Sequence, residues 1–145
     1  MSKGMAKMRE LEITIPGELP RELAPNYLRA WQGTRNKKIA EVKWAAYFYA
    51  VDARNTWERQ HDNKPWLPLE KAELEVVLIA PHNPRYDWDN LVSMLKHYVD
   101  MLTLERPGKP GAGILKDDKR DCLTWRSIDW FPGVHAIRLI IWEVM

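Results

Sequence analysis

The strand-like run Glu73-Leu-Glu-Val-Val-Leu-Ile-Ala80, followed after a short loop by Asp87-Trp-Asp-Asn-Leu-Val-Ser-Met-Leu-Lys-His-Tyr-Val-Asp100, decides the fold. The second half of Glu73–Ala80 is apolar on both faces, which marks an inner strand of a sheet. Beyond the loop His82-Asn-Pro84 the period changes. Leu91, Met94, Leu95, Tyr98 and Leu102 recur every three or four residues, the stripe of an amphipathic helix from about Asn90 to Leu104.

Working outward, Glu10–Ile15 alternates, with Leu11, Ile13 and Ile15 apolar, and predicts a half-buried strand stopped by Pro16 and Gly17. A loop with Pro20 and Pro25 and the basic Arg35-Asn-Lys-Lys38 comes next. A helix is expected from Ile39 to about Arg59, its buried stripe formed by Val42, Ala46, Tyr49, Ala53 and Trp57, with Pro65 and Pro68 ending the region. After the second helix, Pro107, Gly108, Pro110, Gly111 and Gly113 force a loop. Two closing strands follow, about Cys122–Trp130 and Val134–Val144, joined by the turn Phe131-Pro-Gly133. The order β-α-β-α-β-β predicts an α/β (α+β) single domain over residues 10–145, with a mixed β-sheet and two main helices, behind a disordered lead-in at residues 1–9.

The chain has 145 residues and is 46% apolar, enough for one domain with a real core. No apolar run approaches the roughly 20 residues that a membrane span needs, so no membrane partner is expected. The basic N-terminus has no apolar stretch behind it and does not read as a signal peptide. A single cysteine, Cys122, excludes an internal disulfide and a cysteine-based zinc site, and is in keeping with a cytoplasmic protein. A net charge of +2 permits nucleic-acid binding without demanding it. His61, His82, His97 and His135 show no metal-ligand spacing. Eight tryptophans are read mainly as core or dimer contacts, since Trp buries a large area and tolerates a wet edge.

The chemistry lies in the carboxylates. Asp87 and Asp89 stand where the loop enters the second helix. In extended chain, residues two apart point the same way with Cα atoms roughly 6.5 Å apart. Two carboxylates aimed at one point repel unless a cation lies between them, and oxygen ligands of this kind suit Mg²⁺ or Mn²⁺. The same pattern reads equally as an Asp/Asn helix cap. An EF-hand is excluded, because Val92 and Tyr98 occupy the positions that need Gly and Glu. The helix carries the chain about 22 Å away at 1.5 Å per residue. Glu105–Asp117 can span about 43 Å when extended, so it has the length to bring Asp117 or Asp118 back to the helix start. Only one of two adjacent aspartates would face such a site. Asp89, Ser93, Lys96 and Asp100 share a polar stripe of the helix. Lys96 can lean toward the carboxylates or form a plain surface pair with Asp100.

Asp87-Trp-Asp-Asn-Leu91, a helix ending Val-Asp100-Met-Leu, a glycine-bearing loop and Gly113-Ile-Leu-Lys-Asp-Asp118 together resemble the RusA family of Holliday junction resolvases. The likeness is strongest over residues 73–121. It extends loosely to the opening strand, the loop Pro25-Asn-Tyr27, the long helix and the final strands. It implies a RusA-like, homodimeric, Mg²⁺-dependent endonuclease that cuts branched DNA, the four-way junction, by paired nicks. Asp87, Asp89 and Asp118 match the catalytic, metal-binding aspartates, and Asp117, Asn90 and Ser93 would stand behind them. The family's lysine falls four residues after the second aspartate, where this chain has Ser93. Lys96, one turn on, keeps the lysine-to-aspartate spacing to Asp100 and is the catalytic substitute. Arg35, Lys37, Lys38, Arg85, Lys116, Lys119 and Arg120 are the expected phosphate contacts. A nuclease acting on other branched or flap DNA, or a DNA-binding relative silenced by the displaced lysine, fits the same residues.

Overall fold

In a computed structural model, which describes residues 8–25 and 32–145, the chain forms a four-stranded mixed sheet and two helices. The elements are β1 (Glu10–Pro16), α1 (Gln32–Gln60), β2 (Ala72–Ala80), α2 (Trp88–Val99), β3 (Leu123–Pro132) and β4 (Ala136–Glu143), with short 3₁₀ turns at Arg21–Leu23 and Asp100–Leu102. The expected α+β class and element order are present, and β2 is an inner strand.

The sheet order is β1-β4-β2-β3, with β4 antiparallel to both its neighbours and β3 parallel to β2. The closing strands are therefore not paired with each other. Strands lie about 4.8 Å apart, so β3 and β4 end about 10 Å from one another across β2. Gly133, Val134 and His135 make that crossing, and Gly133 N–H donates to the Ala80 carbonyl at 3.1 Å as it passes over the strand end. A Cβ at Gly133 would stand 2.8 Å from Ile79 Cγ2, which explains the glycine.

Alternation sets one buried and one open face. On the buried face the rows Leu11–Ile141–Leu74, Ile13–Leu139–Val76 and Ile15–Ile137–Leu78 run across β1, β4 and β2. Truncating one of these to Ala costs about 2–5 kcal/mol. A bulge at Arg126 keeps β3 in phase: Trp125 pairs with Leu74 before it and Ile128 with Val76 after it. The open face carries Glu10, Glu12, Glu73, Glu75 and Asp129, partly answered by Arg138–Glu12 at 3.0 Å and Arg126–Glu73 at 2.9 Å.

Several sequence expectations are corrected. The helix α1 begins at Gln32, so the basic stretch Arg35–Lys38 forms its first turns rather than a loop. No proline interrupts residues 32–60, and the helix ends where Asp62 and Asn63 take left-handed backbone conformations. Its buried stripe is Val42, Ala46, Ala50 and Trp57; Tyr49 is exposed. The second helix starts at Trp88, two residues early. Arg9, assigned to the lead-in, is anchored: its guanidinium donates to Glu143 at 3.1 and 3.3 Å and to the Leu67 carbonyl at 2.6 Å, and it lies over the Trp66 ring. Residues 1–7, and Asn26 and Tyr27 of the Pro25 loop, lie outside the described residues.

Candidate functional site

The parallel pairing of β2 with β3 requires a long crossover, and residues 81–122 supply it. The buried stripe of α2 is Leu91, Met94, Leu95, Tyr98 and Val99. The chain then turns back along the helix end. Ala112 N–H donates to Met101 O at 2.8 Å, Gly113 to Thr103 O at 3.0 Å, and Ile114 and Leu115 to Leu102 O at 2.8 and 2.9 Å. On its other side this segment exchanges hydrogen bonds with Leu69, and Arg54 of α1 donates to the Ala112 carbonyl at 2.7 Å. Ile114 and Leu115 are fully buried. Asp117 and Asp118 are thus set down beside α2 by a return path pinned on both sides.

The two aspartates face different ways. Burial works against the Asp117 charge, but the Asp118 N–H, donating to Oδ1 at 2.7 Å, and the cations of Lys119 and Arg106 outweigh it and hold the carboxyl below its usual range. Asp118 goes the other way. Burial raises it first; the carboxyls of Asp100 and Asp117, within hydrogen-bonding reach, raise it further, and Lys96 offsets only part. Asp118 therefore faces Asp100 and Lys96, and Asp117 turns toward Arg106 and Lys119. Asp100 is also tied to α1, its Oδ2 lying 3.7 Å from Lys43 Nζ. Close by, the His97 imidazole is held below its usual range by burial and then by Lys43, with Arg35 adding to them against Asp100. Its buried Nδ1 has no hydrogen-bond partner among the described residues.

At the other end of α2, Asp87 is the N-cap, its Oδ1 accepting from the Asn90 backbone N–H at 2.9 Å. That is the bland role its pattern allowed, and Asn90 takes part through its backbone. Asp89 is exposed in the first turn, and Ser93 and Lys96 are exposed further along. The structure brings Asp118 to Asp100 and Lys96, and the cleft that Asp118 lines is also bordered by Trp88 and Val92 in the first turns of α2. Among the described residues, no three His, Cys, Asp or Glu side chains form a group able to hold a metal.

The expected phosphate contacts are dispersed. Lys38 pairs with Glu41 at 3.1 Å, Lys116 with Glu70 at 3.7 Å and Lys119 with Asp117 at 3.6 Å. Lys37 is exposed on α1. Arg85 lines a cavity of about 510 Å³ over the end of β2, together with Arg21, His82 and His135. Arg120 alone of the seven lines the cleft that Asp118 opens into, about 490 Å³ in volume and completed by Trp88, Val92, Leu123, Thr124 and Trp125.

Three residues given no catalytic role from sequence now border the site: Asp100, Lys43 and Trp88. Asp100 was visible on the polar stripe of the helix, whereas Lys43 reaches it only through helix packing. No protein-family model and no curated protein matches the chain. No helix among the described residues is long and apolar enough to cross a membrane.

Proposed function

We propose that this protein is a Mg²⁺-dependent endonuclease that hydrolyses phosphodiesters in branched DNA, resolving four-way junctions by paired nicks. The observation that carries this reading is Asp118, which meets Asp100 and Lys96 and opens into a cleft that Arg120 also lines. Two carboxyls in such contact need a shared proton or a cation. The donors are all hard oxygens and suit Mg²⁺ or Mn²⁺. Asp87, Asp89 and Asp118 are the ligands that the family likeness assigns, and Asp100 adds a further carboxyl next to Asp118. The cation would have to gather them, since they do not already form a cage.

When bound, the ion would supply an activated water and neutralise charge on the scissile phosphate. Lys96 would stabilise the charge that develops on the phosphate oxygens. Arg120 would bind the phosphate beside the cut. The acidic open face of the sheet repels DNA, which therefore approaches from the cleft side. Two cuts call for two sites, and a two-fold dimer is the economical arrangement. The outer face of α1, with Trp44 and Phe48 49% and 64% exposed and their rings 6.0 Å apart, is the surface we assign to the second copy. Such an enzyme would work in the cytoplasm, where its substrate lies.

The test is a nicking assay on a synthetic four-way junction with Mg²⁺, comparing the native chain with Asp89→Asn and Asp118→Asn. Paired nicks from the native chain, abolished by either substitution, are expected. Cutting that survives Asp118→Asn removes the site assignment. Binding without cutting leaves a silent DNA-binding relative, and equal cutting of flaps and junctions removes the junction preference.

A further inference from the structure

Trp88 is the least explained side chain of the site. It is the first residue of α2, between Asp87 and Asp89, and it is 46% exposed although Trp usually gains by burying its ring. It lines the 490 Å³ cleft from the helix side while Trp125 lines it from β3, with Arg120 and Asp118 between them in the chain. Trp125 is accounted for by packing against the core; Trp88 is not. An exposed indole beside a guanidinium, at the mouth of a cleft holding a carboxylate, combines the two elements of a single-strand nucleic-acid platform: a ring to stack on and a cation for the backbone. A protein or lipid partner gives no reason for the ring to share a cleft with Asp118 and Arg120.

We infer that Trp88 is a stacking platform for one unpaired nucleobase next to the phosphate being cut. The inference rests on the proposed nuclease reading and adds a substrate requirement to it: a base that can leave its stack, as at a branch point, in place of continuous duplex. Unstacking is cheapest where pairing is already broken, so Trp88 selects branched over linear DNA at the cleft. Selection therefore needs no base-specific hydrogen bond, and every base can occupy the platform.

The test measures binding by fluorescence anisotropy in EDTA. The probes are a labelled oligothymidylate, the same strand with one abasic position moved along it, and a four-way junction. The proteins are the native chain, Trp88→Ala and Trp88→Phe. Stacking on one aromatic ring predicts a loss of about 5- to 150-fold for Trp88→Ala, with Trp88→Phe keeping most of the affinity. One abasic position should weaken the native chain and leave Trp88→Ala indifferent, a non-additivity that a purely structural role cannot produce. Equal affinities for native and Trp88→Ala, with circular dichroism unchanged, overturn the platform alone. Native binding that depends on Trp88 without any Mg²⁺-dependent nicking sustains the platform and removes the nuclease. Absence of binding by the native chain to every probe overturns both.

Discussion

Gly111→Ala should strike the return path that sets Asp118 in place. A Cβ at Gly111 would press on the Thr103 carbonyl oxygen and stand 2.9 Å from both the carbonyl carbon and oxygen of Leu104. These are backbone atoms of a turn already tied to the segment by the hydrogen bonds of Ala112, Gly113, Ile114 and Leu115, so no side chain can swing aside. Overpacking in a fixed environment costs about 1–3 kcal/mol. Displacing the segment also weakens one or two of the backbone hydrogen bonds, at about 1 kcal/mol each. The sum is about 2–5 kcal/mol, or a fall in Tm of about 7–16 °C for a chain of this size. Denaturant unfolding followed by tryptophan emission reads the change. Gly108→Ala is the control. Gly108 has φ +73° but open space around it, so only backbone strain applies, at about 1 kcal/mol. If Gly111→Ala unfolds within 0.5 kcal/mol (about the scatter of surface substitutions) of the native chain, the segment is not packed as described and the placement of Asp118 falls with it.

Asp87→Ala should lose the helix cap and about 1 kcal/mol of stability by thermal melt, while Asp87→Asn keeps the acceptor and the stability; nicking abolished in the stable Asn variant would show a use beyond capping. Arg9→Ala should cost about 1–2 kcal/mol at neutral pH through its charged hydrogen bonds. The Glu143 carboxyl is held below its usual range, chiefly by the Arg9 side chain and against the effect of burial. The pair's contribution is therefore complete above the ordinary Glu value of about 4.3 and disappears as pH falls through the lower folded value. The gap between native and variant in urea titrations should narrow on acidification to what the Leu67 and Trp66 contacts of Arg9 contribute, and a gap independent of pH would refute the pairing. Trp44→Glu with Phe48→Glu should convert a dimer to a monomer in light scattering; a native chain that is already monomeric removes that face as a dimer contact.

Much of the site was legible as a list but not as an arrangement. Asp118 was named with its geometry argued from chain length, and length sets only an upper bound on reach. It allowed any point along α2; the hydrogen bonds to Met101, Leu102 and Thr103 fix the path, and Asp118 meets Asp100 and Lys96 while opening onto the cleft that Trp88 and Val92 border. Asp100 gained its role for the same reason. The basic residues were read as a group, and ion pairs with Glu41, Glu70 and Asp117 divide them, because charge in a sequence carries no information about the partner that packing brings near.

Periodicity by itself determined the strands Glu10–Pro16 and Ala72–Ala80, the core stripe of α2 and the α+β class, since each reports local burial that neighbouring residues already encode. The phase of α1 escaped it: Tyr49 fits the same spacing as Ala50, and only packing against β1 and the end of α2 selects the smaller side chain for the interior. Strand order was also a tertiary decision. A three-residue link between β3 and β4 suggests neighbours, yet β2 lies between them, and β4 and β2 are the two inner strands of the sheet. The carboxyl pair of Asp100 and Asp118 follows from that decision, since the crossover from β2 to β3 is what returns the chain beside α2.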